Sequence, residues 1–132
     1  AGVSFVTSLD KLTLRTDEAR LQQVLINLLI NATKFTTEGS ITLTLEKESE
    51  TIALFTVTDT GCGILREKQD QIFNRFEKLN ESAQGTGLGL SICQLIIEQI
   101  GGRIWIDPDY TEGARFRFTH PVWPAKEKEA ER

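Results

Sequence analysis

From Asp17 to about Phe35 the chain places Leu21, Val24, Leu25, Leu28, Leu29 and Ala32 at three- and four-residue steps. That period predicts one long helix with a wide apolar face, and such a face must be covered by a second layer. Thr16 or Asp17 can cap the first amides, and Glu18 suits the positive end of the helix dipole. The fold is therefore constrained to supply an apolar surface about as long as this helix.

The remaining pattern supplies it as strands. Val3 to Leu9 reads as a strand, with a second short one at Lys11 to Arg15. After the break at Thr37-Glu38-Gly39, Ile41, Leu43 and Leu45 alternate with Thr42, Thr44 and Glu46, the period of a half-buried strand. A turn at Glu48-Ser49-Glu50 leads into a β-branched, aromatic run from Thr51 to Thr58. A short helix is expected over Leu65 to Phe73, and residues 77–86, with no period, read as a mobile loop. Leu88 to Ile100 predicts a second helix, with Leu88, Ile92, Leu95, Ile96 and Ile100 inward and Gly101-Gly102 as its stop. Arg103 to Asp107 and Ala114 to His120 form two antiparallel strands around a Pro108 to Gly113 turn. Residues 1–123 make one domain, and the charged residues 124–132 read as a disordered tail or linker. Strands joined by hairpins and interrupted by helices give an α+β class: a two-layer α/β sandwich, its sheet mixed and mostly antiparallel, with helices on one face.

Composition narrows the function. The 132 residues are 39% apolar and 26% charged, enough for a core without disulfides or a structural metal. A formal net charge of -4 argues against nucleic-acid binding. Cys62 and Cys93 are too few and too far apart for a zinc site, and suit a reducing compartment. No apolar run reaches the ~20 residues of a membrane span, so a soluble domain is expected, whatever its parent. The chain lacks methionine and opens Ala1-Gly2-Val3, which suits a fragment of a longer protein as well as a processed start.

Three constellations carry chemistry. Asn27 and Asn31 interrupt the greasy helix four residues apart, so their amides leave on the same side. They are either satisfied structural amides or neutral oxygen ligands for a hard cation such as magnesium, with Lys34 a turn further on for phosphates. Asp59 ends a strand and enters Thr60-Gly61-Cys62-Gly63. That phrase is either a simple β-turn or a place where backbone approaches a flat ligand and a carboxylate accepts from an exocyclic amine. Gly85-Thr86-Gly87-Leu88-Gly89-Leu90 opens the second helix, where free amides favour phosphate, and it matches neither the P-loop nor the dinucleotide fingerprint. The three together point to ATP.

Read in order, these segments resemble the ATP-binding catalytic domain of bacterial sensor histidine kinases, in the gyrase, chaperone, kinase and mismatch-repair ATPase superfamily. The resemblance spans about residues 3–122. Asn27 to Thr36 is similar to the family's asparagine box and Asp59 to Ile64 to its first glycine box. Phe73-Asn74-Arg75-Phe76 is similar to its phenylalanine box and Gly85 to Leu90 to its second glycine box. The resemblance implies a Bergerat-type fold holding ATP and Mg2+. It implies Asn31 as main magnesium ligand with Asn27 assisting, Lys34 at the phosphates, and Phe35 in the adenine pocket. Asp59 would accept from the adenine amine, with Gly61, Gly63 and Ile64 shaping the floor. Arg75 and Phe76 would flank the site, and Gly85, Thr86, Gly87, Leu88 and Gly89 would cover the triphosphate.

The family often has serine where Pro108 stands and serine or threonine where Arg115 stands, which puts those polar contacts in doubt. No His-Glu-x-Arg-like phosphoacceptor phrase occurs, and His120 beside Pro121 reads as structural. The resemblance thus implies a kinase catalytic domain that phosphorylates a histidine on a separate dimerisation domain of the same parent. The phosphate then passes to a response-regulator receiver. The expected setting is cytoplasmic, as an isolated monomer whose parent is a membrane-anchored homodimer. Two alternatives stand beside it: a nucleotide-binding regulatory module that no longer transfers phosphate, and a homodimeric aspartic protease built on Asp59-Thr60-Gly61.

Overall fold

A computed structural model describes residues 3–9, 14, 16–64, 66–69, 72–73 and 89–122. Five strands form one sheet: β1 (Val3–Leu9), β2 (Gly39–Lys47), β3 (Ile52–Asp59), β4 (Ile104–Ile106) and β5 (Ala114–Pro121), in the order β1-β2-β3-β5-β4. Two helices, α1 (Glu18–Phe35) and α2 (Gly89–Ile100), pack against it and against each other. The mixed, mostly antiparallel sheet of the expected α+β sandwich is present.

The mixing has one source. β1 runs parallel to β2, from Val3 opposite Gly39 to Leu9 opposite Leu45, because α1 intervenes between them as a crossover. Every other pair is antiparallel. The strand expected at Lys11 to Arg15 lies outside the described residues except for Leu14, which packs against the core. The loop at 77–86 and the tail at 124–132 also lie outside them.

α1 starts where its sequence sets the cap: the Asp17 carboxylate accepts from the Arg20 amide at 3.2 Å. Its inward stripe is Val24, Leu28 and Ala32, all essentially without solvent, flanked by half-buried Leu21, Leu25 and Leu29. Opposite lies one face of the sheet, made by Ile41, Ala53, Phe55, Val57, Phe116, Phe118, Ile104 and Ile106. Phe55 and Phe118 stack across β3 and β5 with centroids 4.5 Å apart.

Two expectations change. Over Leu65 to Phe73 the described residues contain only a 3-10 turn, Arg66–Lys68. The Gln69 amide donates to the Ile64 carbonyl at 3.2 Å, a side-chain bond where helix would need backbone. On α2, Leu95 is not inward but exposed; Cys93, Ile96 and Ile97 fill the buried stripe. At 100° per residue Cys93 and Ile97 lie about 200° to either side of Leu95, so the inward stripe falls on the side of the helix away from Leu95.

Among the described residues no helix covers the other face of the sheet. Thr42, Thr44, Thr56, Thr58, Glu46, Arg115 and Arg117 line a shallow groove of about 290 Å³ there. Alternation along β3 and β5 thus separates an apolar, helix-covered face from a polar one.

Candidate nucleotide site

Asp59 is the last residue of β3 and falls on the helix-covered side, opposite Ala114 and only 3% exposed. One carboxylate oxygen accepts from the Gly61 amide at 2.9 Å and the Ala114 amide at 3.2 Å. Its partner oxygen is bound by neither of these. Burial pushes the carboxyl above its usual 3.8, against the lowering effect of the two amides. A buried carboxylate with one oxygen clamped and the other oriented by that clamp is suited to receive an N–H from a flat, apolar-edged ligand.

The Asp59 loop is pressed onto the end of α1. The Cys62 amide donates to the Phe35 carbonyl at 3.1 Å. A Cβ at Gly61 would run into that same carbonyl oxygen, and would lie 2.8 Å from the Thr36 hydroxyl. Gly63 holds φ at +74°, a left-handed conformation that favours glycine. These two glycines are required by the protein itself. Gly89 is not: a Cβ there would meet nothing within 4 Å. Its missing side chain leaves open space at the start of α2.

Asn27, Asn31 and Phe35 follow one another at four-residue steps along one flank of α1, a rise of about 12 Å. The Phe35 end touches the Cys62 amide, and the Asn27 side chain reaches the Gly89 carbonyl at 3.4 Å. Asn31 is half-buried between them, and Lys34 is exposed in the last turn. Ile64 is half-buried and packs on the core edge below the loop.

Several expected site residues are not described: Arg75, Phe76, Gly85, Thr86, Gly87 and Leu88 lie outside the described residues. Phe73, from the same phrase as Arg75, is a core-edge aromatic, edge-on to Phe116 at 6.1 Å. Arg115 stands where the family often has serine or threonine. It pairs with Thr58 on the polar face, donates to the Thr58 hydroxyl at 3.1 Å and lies over the Tyr110 ring. The residue beside Asp59 on the inner face is Ala114, so the identity at 115 does not bear on the pocket. Strand parity from Asp59 and Ala114 could have shown this; the Ala114 amide as a carboxylate donor could not be read from sequence.

His120 is 1% exposed, with Nδ1 at 2.8 Å from the Pro121 carbonyl, so Nδ1 carries the proton and donates. It is a structural residue, withdrawn from solvent. The cysteines are unpaired, Cys62 exposed and Cys93 buried. Among the described residues no three His, Cys, Asp or Glu side chains converge on a common point. The side-chain oxygens of Asn27 and Asn31 are neutral donors of the kind that fits magnesium, which takes phosphate oxygens and water as its other ligands. No helix among the described residues is long and apolar enough to cross a membrane.

Comparison with known proteins bears on the family and the fold. The adaptive-response sensory kinase SasA of Prochlorococcus marinus (strain MIT 9215) is 40% identical over 117 residues, covering 86% of this chain and 32% of that protein. SasA of Gloeothece citriformis is 43% identical over 110 residues, covering 81% and 28%. The chain thus spans about a third of the length of the curated relatives it matches. Among solved structures, the catalytic domain of histidine kinase ThkA superposes with a TM-score of 0.80 at 36% identity, covering 92% of this chain and 82% of that one. Full-length ShkA in complex with AMPPNP superposes with a TM-score of 0.83 at 32% identity, covering 94% and 26%. With kinase catalytic domains as its structural neighbours, the fold leaves no place for the aspartic-protease reading of Asp59. Residues 16–124 match the family of histidine kinase-, DNA gyrase B- and HSP90-like ATPases, and the chain belongs to that family.

Proposed function

We propose that this domain binds Mg-ATP between α1, the Asp59 loop and the start of α2, and donates the γ-phosphate to a histidine on a separate dimerisation domain. The observation that carries the reading is the clamped, buried Asp59 carboxylate at one end of a helix flank bearing Asn31 and Asn27. Asp59 takes the adenine amine, and Phe35, Gly61, Gly63 and Ile64 enclose the base. Asn31, assisted by Asn27, offers amide oxygens to magnesium, and Lys34 adds charge at the phosphates. The family resemblance assigns Gly85, Thr86, Gly87, Leu88 and Gly89 to the triphosphate, and Arg75 and Phe76 to nucleotide contact. Magnesium, when bound, neutralises charge on the phosphate oxygens.

The chain's own task is positioning. It holds the γ-phosphate in line for an imidazole nitrogen from the partner domain. The N–P bond forms as the bond to the β,γ-bridging oxygen breaks; ADP leaves and the imidazole proton is lost to solvent. An aspartate on a response-regulator receiver then takes the phosphoryl group. The relatives named as sensory kinases support a histidine-bearing partner and a regulator in general terms.

The test is to mix the domain with histidine-bearing dimerisation domains and γ-labelled ATP. Acid-labile label on the partner, lost with Asn31→Ala, is the expected result. Tight Mg-ATP binding without transfer to any such domain would instead support a regulatory nucleotide-binding module.

A further inference from the structure

The sheet carries a second polar feature, on the face away from the helices and from Asp59. Val57 and Phe116 lie in the core, so by strand parity Thr56, Thr58, Arg115 and Arg117 point the other way and line the groove there. Thr44, Thr56, Arg117 and Trp105 pair in line across four strands of this face. Two of their atoms lack partners. Thr56 is only 5% exposed, yet its hydroxyl makes no hydrogen bond, and the Nε of Arg117, the residue paired with it, is also buried and unbonded. A buried donor left unpaired costs free energy, so two on neighbouring residues call for a partner. The Arg115 and Arg117 guanidiniums share one Asp107 oxygen at 3.7 and 3.8 Å, beyond hydrogen-bond reach. The Arg103 guanidinium lies 4.8 Å from the centre of the Trp105 ring, on the same face. Three arginines against Asp107 and the exposed rim residue Glu46 leave one positive charge in excess, in a chain whose net charge is -4.

We infer that this face is a docking surface for an acidic segment of a partner protein, one carboxylate of which accepts from Arg117 Nε and from the Thr56 hydroxyl. Both unpartnered atoms can donate, and Nε can do nothing else, which selects an acceptor. A charge excess of one selects a carboxylate over a phosphate dianion, and the guanidinium fork matches a carboxylate in shape. The groove is shallow and lined by threonines, which suits a side chain laid across the strands better than an enclosed small molecule. Arginine beside tryptophan and tyrosine is the composition of residues that anchor protein interfaces, and here Arg103 covers Trp105 while Arg115 covers Tyr110. Both unpartnered atoms are shut from water in the free chain, so docking includes a rotamer change of Arg117, whose side chain is 29% exposed. The surface lies across the sheet from Asp59 and does not rest on the Mg-ATP reading.

The test titrates the 132-residue chain with a hexaglutamate peptide and follows backbone and arginine Nε–H resonances by NMR. Saturable shifts centred on Thr56, Arg115 and Arg117 are expected, and none with hexaglutamine. Arg117→Gln should weaken the peptide about tenfold, as for loss of a hydrogen bond between charged groups. Thr56→Val should weaken it about threefold, while the free chain unfolds at the same or a higher urea concentration, because no bond is lost within the fold. Asp59→Asn should leave the peptide's affinity within about twofold. Absence of saturable shifts in wild type overturns the inference, and so do shifts spread evenly over basic residues elsewhere. Equal shifts with inorganic phosphate make the face a general anion site, and concentration-dependent shifts without peptide give it to a second copy of the chain; either result overturns the acidic partner. Should Arg117→Gln not fold, Thr56→Val decides: unchanged peptide affinity, or a destabilised free chain, overturns the role given to its hydroxyl.

Discussion

At the scale of single residues, Asp59 concentrates the chemistry that burial makes possible. Its carboxyl is raised above 3.8 because desolvation outweighs the two backbone donors. The folded state therefore holds that proton to higher pH than the unfolded chain does. Between 3.8 and the raised value the unliganded fold loses stability as pH rises, and Asp59→Asn should abolish that part of the slope in denaturation series at stepped pH. Nucleotide binding runs the other way. In the proposed role Asp59 must be ionised to accept from the adenine amine, so ADP affinity should weaken as pH falls through the raised value. Asp59→Asn should cost roughly tenfold or more in ADP affinity at neutral pH, in keeping with about 1.5–3 kcal/mol for a hydrogen bond to a charged group. Calorimetric titration with ADP and with GDP reads both effects; an equal loss for the two bases would contradict the role given to Asp59. The carboxylate was legible in the sequence as a strand-ending Asp before glycines. Its clamp was not, because the Ala114 donor comes from a strand 55 residues away.

At the scale of elements, α1 serves two masters on two flanks. Val24, Leu28 and Ala32 pack on the sheet, while Asn27, Asn31 and Phe35 carry the proposed site. Leu28→Ala should destabilise the domain by about 2–5 kcal/mol, the usual cost of emptying a buried leucine site. Asn31→Ala, at a half-buried position in a helix that prefers alanine, should leave stability within about 1 kcal/mol of wild type. Urea unfolding of both variants checks the contrast, and a large loss for Asn31→Ala would make that amide structural. The period of α1 was readable because its apolar stripe is long. Leu95 misled because α2 is short and rich in apolar residues, so several phases of its wheel fit nearly as well until Cys93 is counted as apolar. The 3-10 turn at Arg66–Lys68 was read as helix because local composition says nothing about the Gln69 side chain taking the Ile64 carbonyl.

At the scale of the whole molecule, the site is an edge between three pieces that local sequence describes separately. The order of the strands follows from tertiary packing: β1 joins β2 in parallel because α1 must cross one face to bury its stripe. That crossover sets the Asn flank beside α2, while the β3–β5 pairing sets Asp59 beside Ala114. A ligand that touches all three pieces should bind the folded chain alone and stabilise it by mass action, about 2.7 kcal/mol at a hundred times its dissociation constant. Mg-ATP should therefore raise the melting temperature by several degrees in a 132-residue chain. Asn31→Ala should lose the increment that magnesium adds, and Asp59→Asn the increment from the base, while both unliganded variants melt cooperatively. Thermal unfolding with ATP, with Mg-ATP and with neither separates these increments. If Asn31→Ala kept the full magnesium increment, the cation would have to sit elsewhere, and the helix flank would lose its claim to the phosphates.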